Sequence, residues 1–159
     1  MKNTYDEIGL WSEIKHEILS KYARSYSTIM TKQGFFEHAY IDALSGGGIQ
    51  KRKHKEEFVQ GSPLHVLNIT PPFQKFYFVE LDKKKCQMLS ELIGERQHTY
   101  VFCADCNEAL PNIIFPKVKY EEYKRGLCLL DPYKLGELKW ETIVAAAIAP
   151  CISKVLFKA

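Results

Sequence analysis

The sequence predicts an α/β fold, a Rossmann-like doubly wound sheet that is mostly parallel. Five short apolar runs are typical of buried strands, and they cover residues 39–44, 76–81, 100–104, 127–130 and 152–157. Helical stretches alternate with these runs. Such alternation indicates parallel strands joined by right-handed crossovers, with helices on both faces of the sheet.

An amphipathic helix is predicted before the first strand. Its apolar residues recur at steps of three and four, and Gly34 is expected to end it. Because side chains this large need a broad surface to cover, we expect the helix to pack on the sheet. The predicted apolar stripe consists of Trp11, Ile14, Ile18, Tyr22, Tyr26 and Ile29.

Three later helices have recognisable ends. Ser62 is a suitable cap, because the proline that follows it is favoured in a first helical turn. Asp82 is expected to cap the next helix, which Gly94 ends. A further helix over residues 140–149 stops before a proline.

Length and composition favour one domain, residues 1–159, in the cytoplasm. The chain is 46% apolar and 26% charged, and its net charge of +3 is too small to indicate a nucleic-acid partner by itself. No apolar run approaches the roughly 18 residues that span a bilayer, and no signal peptide is recognisable, so no membrane contact is expected. Cys103 and Cys106 form a C-x-x-C without a second ligand pair. We interpret them as incidental thiols and predict no metal, with metal or redox chemistry as the alternative.

Ligands of such folds bind beyond the carboxyl ends of the strands, where the strand order reverses. The first strand runs into Y-I-D-A-L-S-G-G-G, residues 40–48. Gly46 and Gly48 would let the backbone turn tightly and approach a ligand closely. A plain flexible loop is the alternative interpretation.

Acidic residues follow the next three strands. Glu80 is suited to accept both hydroxyls of a ribose, and Asp105 to accept an exocyclic amine such as that of adenine, with a helix cap as the alternative for Asp105. The fourth strand ends in D-P-Y. There Asp131 can hold a polar group, while Tyr133 stacks on a planar one.

In this order, the motifs resemble those of class I S-adenosylmethionine-dependent methyltransferases. A dinucleotide site fits less well, because G-x-G-x-x-G lacks its third glycine here. The motifs also resemble those of one family, the three-Cys-motif partner proteins (TcmP), which are similar to methyltransferases. Further segments that carry this resemblance are W-S-E-I-K-H-E-I-L, G-S-P-L, F-x-F-V-E-L-D, D-C-N-E-A-L-P and L-L-D-P-Y-x-L-x-x-x-W-E-T-I. The resemblance covers about residues 11–149.

The resemblance implies a transferase that binds S-adenosylmethionine and methylates a nucleobase or another acceptor. It implies four groups of site residues. Asp42, Ser45, Gly46 and Gly48 would hold the methionine portion of the cofactor, Glu80 its ribose and Asp105 its adenine. Asp131 and Tyr133 would face the acceptor, with Asp131 positioning it rather than acting as an obligatory base.

Two of the departures from the methyltransferase pattern concern the length of the chain. An insertion must separate Asp42 from Glu80, and it includes the basic run K-R-K-H-K at residues 51–55. We interpret this run as a solvated, mobile loop; the alternative is a contact to the phosphates of a nucleic-acid acceptor. Only five of the usual seven strands can be placed, so residues 152–157 would form an exposed apolar edge.

The exposed edge leaves two explanations open. Either the chain is a fragment or a natural truncation, or a protein partner or a second copy covers the edge. The edge therefore also supports a different function, a non-catalytic partner-binding module that retains the methyltransferase fold as a scaffold.

Overall fold

The computed structural model describes residues 5–155, except for the side chains of Leu135 and residues 153–155. Its strands are β1 (Asp6–Ile8), β2 (Glu37–Asp42), β3 (Ile49–Arg52), β4 (Phe58–Gln60), β5 (Lys75–Glu80), β6 (Thr99–Cys103), β7 (Lys124–Leu130) and β8 (Cys151–Val155). Its α-helices are α1 (Leu10–Gln33), α2 (Ser62–Leu67), α3 (Lys83–Ile93), α4 (Cys106–Ala109) and α5 (Trp140–Ile148). A π-helical turn, Leu110–Ile114, continues α4.

Five strands form the central sheet, in the order β6-β5-β2-β7-β8, and every neighbouring pair is parallel. The five strands predicted from the apolar runs are thereby confirmed, although residues 156–157 of the last run lie outside the described residues. From β2 the chain winds outward through β5 to β6 and then returns to β7, on the other side of β2. The strand order therefore reverses between β2 and β7, and the arrangement is compatible with a Rossmann-like α/β fold.

Helices cover both faces of this sheet. Successive side chains of a strand point to opposite faces, so Tyr40 packs in one apolar layer and Ile41 in the other. Helix α1 and residues of α2 and α3 fill the layer of Tyr40. The opposite layer contains α4, the π-helical turn and α5. The sheet is thus the middle of three layers, as the alternation of strands and helices predicts.

Helix α1 ends where the sequence predicts, at Gly34, which adopts φ = 74° and donates its backbone N–H to Thr31 O. The predicted buried face is confirmed only at Tyr22 and Tyr26, which pack in the apolar layer of Tyr40. Trp11, Ile14, Ile18 and Ile29 are exposed, and the side chains that face the sheet are Lys15, His16, Leu19, Ala23, Tyr26, Ser27 and Met30. Apolar residues lie on both sides of this helix, so their spacing alone does not identify the buried side. Small residues such as Ala23 and Ser27 allow the observed side to lie close to the sheet.

The other helix ends follow the sequence with one difference. Asp82 caps α3 by accepting the backbone N–H groups of Lys84 and Lys85, and Gly94 follows its last turn. Gly61 rather than Ser62 precedes the first turn of α2. The Ser62 side chain is free for another contact, because it is not the cap.

The insertion between β2 and β5 contains a hairpin, β3–β4, and α2. Strand β1 adds to the hairpin in parallel, in register with β3. The solvated loop that we expected is found only for residues 53–55, which form the exposed turn of the hairpin. Lys51 and Arg52 lie in β3 and are paired with carboxylates: Lys51 pairs with Glu56 at 2.7 Å, and Arg52 contacts both Glu13 at 2.7 Å and Glu57 at 2.5 Å.

Strand β8 lies at one edge of the sheet, as predicted. Within residues 5–155 it pairs only with β7, and Ile152 is 45% exposed. In this same part of the chain, none of the helices combines the length and the apolar character needed to cross a bilayer.

Candidate functional site

A cleft of about 880 Å³ opens at the carboxyl ends of the strands, where the strand order reverses. Six of the eight residues predicted from the sequence line it, although they follow four different strands. They are Ser45, Gly46, Glu80, Asp105, Asp131 and Tyr133. The other two, Asp42 and Gly48, lie behind the wall of the cleft.

The loop after β2 is hydrogen-bonded to the end of β5. Ser45 donates both its backbone N–H and its hydroxyl to Val79 O, at 2.9 and 3.1 Å. Gly46 adopts φ = 66° and donates its N–H to Glu80 Oε2 at 2.9 Å. The positive φ at this bend is a conformation that glycine adopts without strain.

Gly48 packs against α3 and does not line the cleft. Its φ is 85°, and a Cβ at this position would lie 3.0 Å from Leu89 Cδ1 and 3.2 Å from Leu92 Cδ1. Both leucines belong to α3. The absence of a side chain at Gly48 therefore lets the loop lie close to this helix.

Glu80 is held at both oxygens of its carboxylate. One accepts the Gly46 N–H, and the other accepts the Asp82 N–H at 2.8 Å. Each carboxylate oxygen has two lone pairs, so Glu80 retains acceptor capacity toward the cleft. Its position beside the loop is fixed before any ligand arrives.

Asp42 supports the cleft from below. Its side chain is fully buried, and its oxygens accept the Ser62 hydroxyl at 2.7 Å and the Leu44 N–H at 3.3 Å. Burial raises the pKa of Asp42 to about 7, against the opposing effect of these hydrogen bonds. Ser62 and Leu44 both line the cleft, whereas Asp42 does not, so Asp42 holds two lining residues from behind the wall.

Asp131 forms a close ion pair with Lys15, a residue that sequence analysis missed. Lys15 Nζ lies 2.6 and 2.8 Å from the two carboxylate oxygens. The Lys15 side chain is 9% exposed, and that of Asp131 is 26% exposed. Lys15 lies four residues before Leu19 and eight before Ala23, which places it on the sheet-facing side of α1. This spacing is the sequence signal that could have identified Lys15 as a residue near the cleft.

The turn after Asp131 is held by Glu137. The backbone N–H groups of Tyr133 and Lys134 both donate to Glu137 Oε2, at 2.5 and 3.1 Å. The Tyr133 hydroxyl donates to Glu7 O at 3.4 Å, while half of its side chain stays exposed. Tyr133 thus presents part of its ring at the mouth of the cleft.

Asp105 caps α4, which confirms the alternative given for it. Its carboxylate accepts both the backbone N–H and the side-chain amide of Asn107 at 2.8 Å. Asn107 in turn donates to Glu137 O and accepts the Thr142 hydroxyl. This network joins two walls of the cleft.

Three further polar residues in the cleft were not found from sequence. Gln50 comes from the hairpin, and its buried Oε1 has no hydrogen-bond partner within the described residues. His16 lies beside the His65 ring, 5.5 Å between centroids, and burial lowers the pKa of His16 to about 4, with smaller contributions from His65 and Lys15. Asp6, on β1, pairs with Lys85 at 2.6 Å.

Comparison with known proteins adds a fold relationship. No family model matches the chain, and no curated protein matches it in sequence. Its structure is similar to the crystal structure of protein LPL1258 from Legionella pneumophila str. Philadelphia 1, which is assigned to the family model DUF519. The match has a TM-score of 0.58 and 16% identity, and it covers 88% of this chain and 67% of that one. At this identity the likeness shows a shared fold, and the resemblance to TcmP proteins stays a prediction.

The C-x-x-C pair lies at the end of β6. Cys103 is exposed, whereas Cys106 is buried, and burial raises the pKa of the Cys106 thiol to about 11. Within residues 5–155, no three His, Cys, Asp or Glu side chains are grouped so that they could hold a metal ion.

Proposed function

We propose that the cleft binds S-adenosylmethionine and that the protein transfers its methyl group to an acceptor held near Asp131 and Tyr133. The observation that carries this proposal is the convergence of the glycine loop, Glu80, Asp105 and Asp131 around one cleft at the reversal of strand order. This convergence supports the methyltransferase-like identity that the motifs imply.

The residues of the cleft fit the cofactor chemically. The ammonium group of its methionine portion needs acceptors, and Gln50 Oε1 is a buried acceptor without a partner among the described residues. The spare lone pairs of Glu80 suit a ribose diol. Asp105 lies at the wall where an adenine amine would find an acceptor.

The cofactor, when bound, supplies an electrophilic methyl group on a sulfonium. The chain then has to orient an acceptor and exclude water. Asp131 is suited to accept an N–H of the acceptor, and Tyr133 offers an aromatic surface to a planar group such as a nucleobase. Lys15 fixes the orientation of the Asp131 carboxylate.

A non-catalytic partner-binding module is the second candidate function. Both oxygens of Asp131 already receive the Lys15 ammonium, which would compete with an acceptor. Strand β8 also leaves one edge open within residues 5–155, and such edges pair readily with another chain. In this case the cleft would serve as a scaffold or a cofactor sensor.

Calorimetry tests the first step. Wild-type protein titrated with S-adenosylmethionine, and separately with S-adenosylhomocysteine, is expected to release or absorb binding heat with both. A folded sample that binds neither would contradict the proposal. Incubation with a methyl-labelled cofactor and pools of DNA, RNA and protein then separates the two candidates, since the binding module binds the cofactor or a partner without transferring label.

A further inference from the structure

A second groove lies at the opposite end of the sheet from the cleft. It has a volume of about 630 Å³ and is formed by β5, β6 and the segment that follows α4. Lys75 begins β5 and lines this groove, whereas Glu80 ends the same strand and lines the cleft. Five residue steps of a strand separate these two positions by about 17 Å, so the groove and the cleft are distinct.

Aromatic rings form the floor of the groove. Tyr77 and Tyr100 are register partners on β5 and β6, and their rings stack with centroids 5.4 Å apart and planes 16° apart. Phe102 continues the floor beside Tyr77, at 6.4 Å. Tyr77 is buried, but Tyr100 is 43% exposed, so part of a ring already held in a stack faces solvent.

Lysines surround this floor. Lys75, Lys117, Lys119 and Lys124 line the groove, and Glu122 is the acidic residue that lines it with them. The lining thus carries four positive charges against one negative charge. A surface of this composition attracts an anion rather than another cation.

The pairing of these lysines leaves charge unmatched. Lys119 and Lys124 both pair with the single carboxylate of Glu122, and the ammonium of Lys119 lies 3.2 Å from it. Lys75 pairs with Glu37 at 3.0 Å, outside the lining. Lys117 is exposed, and none of the ion pairs among residues 5–155 involves its ammonium group.

We propose that this groove binds a segment of single-stranded nucleic acid, with a base stacked on Tyr100 and the adjoining phosphates beside Lys117 and Lys119. The proposal goes beyond the methyl-transfer function and does not depend on it. Bases present an aromatic face together with regularly spaced negative charges, and the groove offers a partly open ring beside unmatched cations. An acidic peptide would use the lysines but would gain little from the aromatic floor.

Fluorescence anisotropy with a short labelled oligodeoxyadenylate tests the proposal. Tyr100→Ala and Lys117→Glu are each expected to weaken binding about tenfold, because the first removes the ring on which a base stacks and the second repels the phosphates. Lys117→Glu should also reduce the dependence of affinity on salt between about 50 and 200 mM. Lys32→Glu is the matched control, since Lys32 is an exposed lysine at the end of α1, outside the groove.

Three outcomes would overturn the proposal. The first is that Lys32→Glu weakens binding as much as Lys117→Glu, which would indicate attraction by overall charge. The second is that Tyr100→Ala, folded by circular dichroism, binds like wild type. The third is that polyglutamate or an abasic oligonucleotide of equal length competes as well as the oligodeoxyadenylate, because either result would remove the base from the interaction.

Discussion

Lys15 and Asp131 are 116 residues apart in sequence, yet the Lys15 ammonium lies 2.6 and 2.8 Å from the two carboxylate oxygens of Asp131. The pair joins α1 to the end of β7, at the point where the strand order reverses. It therefore fixes both the N-terminal helix and the proposed acceptor side of the cleft.

Lys15→Met should lower the free energy of unfolding by about 1–3 kcal/mol, because it leaves a partly buried carboxylate without its cation. The double variant with Asp131→Asn should lose less than the sum of the two single variants, with a coupling energy of at least about 1 kcal/mol. Urea unfolding of all four proteins measures this coupling. Lys21→Met is the control, because the exposed Lys21–Glu17 pair contributes only a few tenths of a kcal/mol. Additive losses at Lys15 and Asp131 would mean that the pair contributes nothing specific.

Glu80→Gln should weaken binding of S-adenosylhomocysteine by roughly 5- to 150-fold in Kd, or about 1–3 kcal/mol. The amide replaces one of the two oxygens that accept the Gly46 and Asp82 N–H groups, and it removes the charge that favours two ribose hydroxyls. Calorimetry measures the change, with Glu95→Gln, an exposed residue outside the cleft, as control. An unchanged Kd would remove Glu80 from the proposed cofactor contacts.

Asp42 should make the protein less stable as the pH rises from about 4 to about 7. Burial raises its pKa from the usual 3.8 to about 7, so in this window the folded state holds a proton that the unfolded state has released. The difference between these two pKa values corresponds to a change of at most about 4 kcal/mol in the free energy of unfolding. Urea unfolding of wild type and Asp42→Asn across this range should show their stability difference changing by up to that amount and levelling off above pH 7. A difference that does not depend on pH would contradict the raised pKa.

His16 should act with the opposite sign. Burial, with help from His65 and Lys15, lowers its pKa from 6.5 to about 4. Between these values the unfolded state binds the proton, so this contribution to stability is complete above pH 6.5 and is lost as the pH falls through 4. NMR titration of the ring should give a midpoint near 4, and His16→Gln should flatten the loss of stability on acidification. A midpoint near 6.5 would contradict this prediction, because it would mean that the His16 ring is exposed to solvent.

Gly48→Ala should destabilise the fold by about 1–3 kcal/mol. The positive φ of 85° is strained for alanine, and the new Cβ would come within 3.0 Å of Leu89 on α3. Gly136→Ala is the matched control, since a Cβ there meets nothing within 4 Å and φ is not positive. Thermal unfolding of both variants compares them. Equal melting temperatures for the two variants would show that α3 moves to accept the methyl group.

Local features of the fold were predictable because they depend on neighbouring residues. Apolar runs specified the five parallel strands, and Asp82, Gly34 and Gly94 marked helix ends through backbone hydrogen bonds that lie within one or two turns. Glu80, Asp105 and Asp131 were found for a related reason. A residue at the end of a parallel strand lies at one edge of the sheet whatever the order of the strands.

The sequence by itself therefore determined the five strands of the central sheet and the residues at their carboxyl ends that line the cleft, but not the second sheet of β1, β3 and β4. Only the tertiary structure decided which face of α1 is buried, that Lys15 meets Asp131, and that Asp42 lies behind Ser62. These contacts depend on strand order and on the insertion hairpin, which bring together residues far apart in the chain. A single sequence records the spacing of residues along a helix or strand, but it does not record which distant side chain occupies the space opposite.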